Sequence, residues 1–166
     1  VEMAEIRAFA FAAFAFGAAT LHAATIFDNG NVDLTHAGYF SDSNFVQFIA
    51  DDFTLQSGTS TIRDVHWWGV HGGNSAAADN FTIQIFEDAG GLPTGSPTTL
   101  TLGTVNATDT GLQQTPDSNS WDVYAYGVAV DPLTLVAGVK YWISIFNATG
   151  DWAWSFDDDG DGAAFR

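Results

Sequence analysis

The chain contains no cysteine. No disulfide can staple it and no thiol can serve as nucleophile or soft-metal ligand, so stability must come from an apolar core. Basic residues are almost as scarce, with 4 Lys and Arg against 20 Asp and Glu in 166 residues, a formal charge of −16. Nucleic-acid binding rests on Lys and Arg that neutralise phosphates, and anionic membrane surfaces attract the same residues, so the composition argues against both partners. Strong acidity suits an extracellular protein kept soluble by its charge, or one that collects cations. Helical periodicity is also missing, since no segment after residue 24 places apolar residues at i, i+3, i+4 and i+7. Neither a Gly-x-Ser-x-Gly elbow nor a phosphate loop occurs. No pair of carboxylates is singled out for glycosidase chemistry, because Asp51 and Asp52 are neighbours and point to opposite faces of a strand.

What is present is alternation. From Asp79 to Gly95, Phe81, Ile83 and Ile85 share one face while Thr82, Gln84 and Phe86 share the other. Gly90-Gly91-Leu92-Pro93 then stops the run with residues that permit or fix unusual φ. This predicts a half-buried strand placed centrally in a sandwich. Further strands are expected at Thr25–Phe27, Phe45–Leu55, Ile62–Val70, Thr98–Val105, Trp121–Val130, Leu133–Val136, Val139–Asn147 and Trp152–Phe156, with Asn106–Ser120 as a long polar loop. Eight or nine short strands with turns between them describe an all-β fold, an antiparallel β-sandwich or jelly roll.

Residues 1–24 differ from the rest. A polar start with Arg7 leads into an Ala/Phe run, Ala8 to Leu21, that ends in Leu21-His22-Ala23-Ala24. A charged start, a short apolar stretch and small residues at its exit describe a secretory signal peptide, here residues 1–23 with cleavage after Ala23. The sandwich domain is then 24–166, and the protein is secreted or held at the cell surface. If the segment is instead retained, as a helix, it suits an anchor or a filament-forming element.

Three groups of residues carry candidate chemistry. Asp157, Asp159 and Asp161, with Gly160 and Gly162, match the first half of a calcium loop, in which hard oxygen ligands alternate and Gly allows the bend. The alternative is a solvated acidic turn. Six tryptophans are present, and Trp67, Trp152 and Trp154 are the candidates for a carbohydrate-stacking platform, with core packing as the competing role. Adjacent Trp67 and Trp68 must face opposite ways, so at most one belongs to the core between two sheets. Among the histidines, His66 and His71 approach each other only across a turn, which gives no transition-metal pair. Asn80, Asn106 and Asn147 begin Asn-x-Thr sequons, of interest only in a glycosylating host.

Several framework motifs occur together: Ile26-Phe27-Asp28-Asn29-Gly30, Ala50-Asp51-Asp52-Phe53-Thr54-Leu55, Val65-His66-Trp67-Trp68-Gly69, Phe81 to Asp88 with Gly91-Leu92-Pro93, Tyr141-Trp142 and Trp152-Ala153-Trp154-Ser155. In these the chain, from Thr25 to Arg166, resembles the secreted β-sandwich proteins of Gram-negative bacteria that carry a PEP-CTERM sorting tail. The resemblance implies export, sorting by an exosortase, and association with exopolysaccharide and biofilm. It also implies that a sorting tail follows Arg166 and that the chain given is truncated. The expected function is therefore that of a non-enzymatic secreted cell-surface or extracellular-matrix protein. A carbohydrate-binding module and a subunit of an extracellular filament are the alternatives.

Overall fold

The computed structural model describes residues 31–36, 38–45, 47–55, 60–72, 79–115, 120–155 and 164–165. Among them the chain forms strands and no helix: β1 (Tyr39–Phe40), β2 (Ala50–Thr54), β3 (Ser60–His71), β4 (Phe81–Asp88), β5 (Pro93–Thr99), β6 (Asn106–Gln114), β7 (Trp121–Leu135), β8 (Lys140–Asn147), β9 (Trp152–Trp154) and β10 (Ala164–Phe165). They make two antiparallel five-stranded sheets, one in the order β1-β9-β3-β7-β6 and the other β10-β2-β8-β4-β5. The molecule is an all-β sandwich of the expected class.

The apolar alternation in β4 sets the inner face of the second sheet. Phe81, Ile83 and Ile85 are buried against the opposite sheet, while Thr82, Gln84 and Phe86 are half-buried on the outside. The strand lies one place from the sheet edge rather than at its centre. The central position belongs to β8, hydrogen-bonded to β2 on one side and β4 on the other. The reason is that β8 is nearly continuous in apolar residues, with Tyr141, Trp142 and Ile145 all buried, as a strand covered on both faces requires.

Aromatic rings dominate the space between the sheets. Trp67 of β3 stacks on Tyr126 of β7 at 5.4 Å and 9°. Phe81 then presents edges to Trp67, Tyr126 and Trp152 at 5.1, 5.0 and 5.0 Å. Such pairs add about 0.5–1.5 kcal/mol each beyond the area they bury. Trp152 reaches this position because Gly69 lies beneath it, where a Cβ would come within 2.3 Å of the indole Nε1. A second, smaller cluster lies on the outer face of the first sheet. There Val70, Val123 and Ala153 meet Val32, with Leu34, Phe40, Trp68 and Trp121 packed around them. Residues 31–36 hold that cover in place through Gln114 Nε2, which donates to the Asp33 carbonyl at 2.7 Å, and Thr115 N, which donates to the Leu34 carbonyl at 3.1 Å. Trp67 and Trp68 thus face opposite ways, one into the core and one under this cover.

Several boundaries differ from the sequence expectation. Asn106–Ser120 was expected as a loop, yet Asn106–Gln114 is β6, the edge strand of the first sheet. It lacks apolar alternation because nearly all its side chains meet solvent. The strand expected at Thr98–Val105 begins earlier, as Pro93–Thr99, and Leu100 is buried where the chain leaves it. Trp121–Val130 and Leu133–Val136 form one strand, β7, which runs through Asp131-Pro132. The register against β3 shifts there, from Ile62↔Leu133 to Asp64↔Ala129, and a bulge accommodates a proline that a regular ladder would reject. Among the described residues of Phe45–Leu55 only Ala50–Thr54 is strand, and Phe45 and Phe48 remain about half exposed, at 53% and 54%. The strand expected at Thr25–Phe27 and the apolar segment 1–23 lie outside the described residues.

The chain also changes sheets near its start. Tyr39 and Phe40 pair with β9 of the first sheet. Ser41 then turns to the second, where its hydroxyl donates to the Ile145 carbonyl at 2.6 Å and its carbonyl accepts from Asn147 N at 2.9 Å.

Candidate binding surface

One cluster of polar and titratable side chains is enclosed at one end of the sandwich. His71 ends β3, Asp79 precedes β4, Tyr126 projects inward from β7, and Asn147 ends β8. His71 Nε2 lies 3.1 Å from the Tyr126 hydroxyl and 3.3 Å from Asp79 Oδ1. Asn147 donates its amide to Asp79 Oδ1 at 2.7 Å and accepts from Asn80 N, Thr149 N and Thr149 Oγ1 at 3.1, 3.1 and 2.8 Å. Burial, reinforced by the negative charge of Asp79, pushes the Tyr126 phenol well above its ordinary range, so it stays neutral. Three strand ends and a loop are tied together here. Asn147 is fully buried, so its sequon serves as a structural clamp, whereas Asn80 and Asn106 are exposed.

The aromatic platform is not assembled as expected. Trp67 is 4% exposed and Trp152 0%, so both are core residues whose ring faces are covered by other aromatics. Only Trp154 reaches the surface, half-buried at the end of β9. The platform reading fails for the first two because β3 and β9 are adjacent in the first sheet, and both residues lie on its inner side. Asp157, Asp159 and Asp161 lie outside the described residues. His66 and His71 sit five positions apart on one extended strand and therefore face opposite sides of it.

Among the described residues an open concavity lies elsewhere, on the outer face of the first sheet, with a volume of about 440 Å³. Its floor is β7, which turns Tyr126 and Val128 inward and so presents Ala125, Gly127 and Ala129 outward. Strand pairing fixes its walls. His66, Gly127 and Asn106 form one cross-strand row, and Trp68, Ala125 and Thr108 form the next. Asp64 stands beside Ala129 on the β3 side. The His66 ring rests across Gly127, where a Cβ would meet Nδ1 at 2.9 Å and Cε1 at 3.0 Å. Glycine is therefore needed for the imidazole to lie there. The sequence signal for this trough is the strict large–small alternation Tyr124-Ala125-Tyr126-Gly127-Val128-Ala129-Val130, but it becomes a site only when Asp64, His66, Asn106 and Thr108 arrive from other strands.

On the outer face of the second sheet, Lys140 forms an ion pair with Asp52, and the Trp142 indole donates to Asp88 Oδ1 at 2.8 Å. That bond holds the Asp88 carboxyl below its ordinary range. No family model matches this chain, and no curated protein or solved structure matches it either.

Proposed function

We propose that the protein is a non-enzymatic β-sandwich that acts outside the cell, at the cell surface or in the extracellular matrix, in contact with polysaccharide. On this reading it is an exosortase-sorted protein of the PEP-CTERM type. The observation that carries the reading is the distribution of polar side chains between inside and outside. His71, Asp79, Tyr126 and Asn147 are enclosed and engaged with one another and with the backbone. The open trough is a shelf of small residues rimmed by hydroxyl, amide, imidazole and carboxylate groups, which suits holding a ligand. The acidic composition adds solubility outside the cell.

Fractionation of a Gram-negative host that expresses the gene tests this. The protein should appear outside the inner membrane, shortened by about 23 residues as signal removal requires. Retention in the cytoplasm at full mass would overturn it. Asp157, Asp159 and Asp161 supply calcium ligands on this reading, and millimolar calcium should then raise Tm relative to chelator. The carbohydrate-binding module remains the second reading, and the trough is the observation that favours it.

A further inference from the structure

We infer that the trough over Gly127 is a binding site for a neutral, extended oligosaccharide, with His66, Asp64, Asn106 and Thr108 as its hydrogen-bonding walls. This deepens the reading of polysaccharide contact given above and rests on it for biological context, though not for its physical argument.

The dimensions come from strand geometry. From Ala125 to Ala129 the floor is about 13 Å long, enough for about two or three linked sugar rings. The walls on β3 and β6 stand two strand spacings apart, about 9.5 Å, and leave room for one chain lying along β7. The floor itself is made of the methyl groups of Ala125 and Ala129, with the His66 ring resting across Gly127 between them. A pyranose ring offers such a floor its C–H face and directs its hydroxyls sideways. Those hydroxyls would meet a carboxylate and an imidazole on one side and an amide and a hydroxyl on the other, a mixture of acceptors and donors that matches groups able to play both roles.

Other ligand classes fit less well. An extended peptide binds a sheet by adding to a free strand edge, but β7 is hydrogen-bonded to β3 on one side and β6 on the other, so its backbone has nothing to offer a peptide. An anionic polymer would meet Asp64 in the trough and a molecule of net charge −16 around it. The β6 wall is neutral: from Ala89 to Thr108 the chain carries no charged residue, and Asn106 and Thr108 close that stretch. A neutral ligand that bonds to side chains alone meets all these conditions.

The test is calorimetric titration of the purified protein with trimers and hexamers of gluco-, manno- and galacto-oligosaccharides, and with polygalacturonate oligomers as the anionic control. At least one neutral series should bind, the anionic series should not, and affinity should be indifferent to added NaCl because the ligand is uncharged. Ala129→Leu fills the floor from an exposed position and should abolish binding with Tm unchanged. His66→Ala should weaken binding about tenfold, the scale of one good hydrogen bond to a ring nitrogen. Thr108→Val, on the opposite wall, gives an independent variant should either of these fold poorly. Silence across every neutral series would overturn the inference, as would binding that survives both Ala129→Leu and His66→Ala. Because the titration uses purified protein, it can fail while export succeeds, or succeed while export fails.

Discussion

Asp42 Oδ2 accepts the backbone N–H of Trp152 at 2.8 Å, joining residues 110 positions apart in the chain. The other carboxylate oxygen accepts the N–H groups of Asn44 and Phe45 at 2.8 and 3.1 Å. Asp42 is fully buried, and so is Trp152. One carboxylate thus fixes the turn after Ser41, where the chain passes between sheets, and pins β9 beside it. Asp42→Ala leaves backbone donors without partners, each costing about 1–3 kcal/mol. The variant should therefore lose on the order of 3 kcal/mol or more in urea unfolding. Asp42→Asn keeps one acceptor oxygen and should lose less, and equal losses would contradict this role.

The Gly69–Trp152 contact predicts an asymmetric pair of variants. Gly69→Ala forces a Cβ to within 2.3 Å of the Trp152 indole, so the ring or the strand must move. Overpacking of this kind costs typically about 1–3 kcal/mol. Trp152→Ala empties a site enclosed by Phe81 and Tyr126 and should cost about 3–5 kcal/mol, as should Trp67→Ala. Trp154→Ala, at the half-buried end of the strand, should cost clearly less. The double variant Gly69→Ala/Trp152→Ala should be less destabilised than the sum of its singles, since the clash disappears with the ring.

Alkaline pH should find Tyr126. Its phenol is raised in the folded state by burial first and by the charge of Asp79 second, whereas in the unfolded chain it titrates near 10. A group raised in the fold contributes stability that is complete below its unfolded value and is lost as pH climbs past it. Stability should therefore fall above about pH 10, with a slope near 1.4 kcal/mol per pH unit from this residue. Tyr126→Phe should remove that slope while costing about 1 kcal/mol at neutral pH through the lost contact with His71. Denaturant midpoints at pH 8, 10 and 11 check both statements.

Acid should find Asp33 in the opposite sense. The Thr35 hydroxyl and then the Thr35 N–H, each donating at 2.7 Å, with His36 beside them, hold this carboxyl at about 2. A group lowered in the fold stabilises above its unfolded value, near 4, and loses that contribution as pH falls toward 2. Asp33→Asn should therefore flatten the acid limb between pH 4 and 2 and leave the alkaline limb alone. The effect is local to the segment covering Val70 and Val123, so tryptophan fluorescence from Trp68 and Trp121 should report it first.

Much of the sandwich was legible because its inner faces obey period two. Phe81, Ile83 and Ile85 announce their strand, as do Tyr141 to Phe146. The edge strand Asn106–Gln114 was not legible, because a strand wet on nearly every side chain carries no apolar alternation and its Thr, Asn and Gly residues read as loop. Asp131-Pro132 suggested a break, and only the bulge against Ile62 and Asp64 explains why the strand continues. The tryptophans were ambiguous for a different reason. Whether Trp67 and Trp152 face a ligand or a second sheet depends on which strands lie opposite them, and spacing along the chain does not encode that. The trough is non-local in the same way: its floor is one strand, but its walls come from β3 and β6.

The place of β9 bears on how the chain is made. Trp152–Trp154 lies between β1 and β3, so residues near Tyr39 and Gly69 have no edge to complete until position 154 is available. The first sheet therefore cannot close from the amino-terminal side as synthesis proceeds. Folding must await nearly the whole chain and then proceed through distant pairings, which places it among the slower topologies, on the order of milliseconds to seconds.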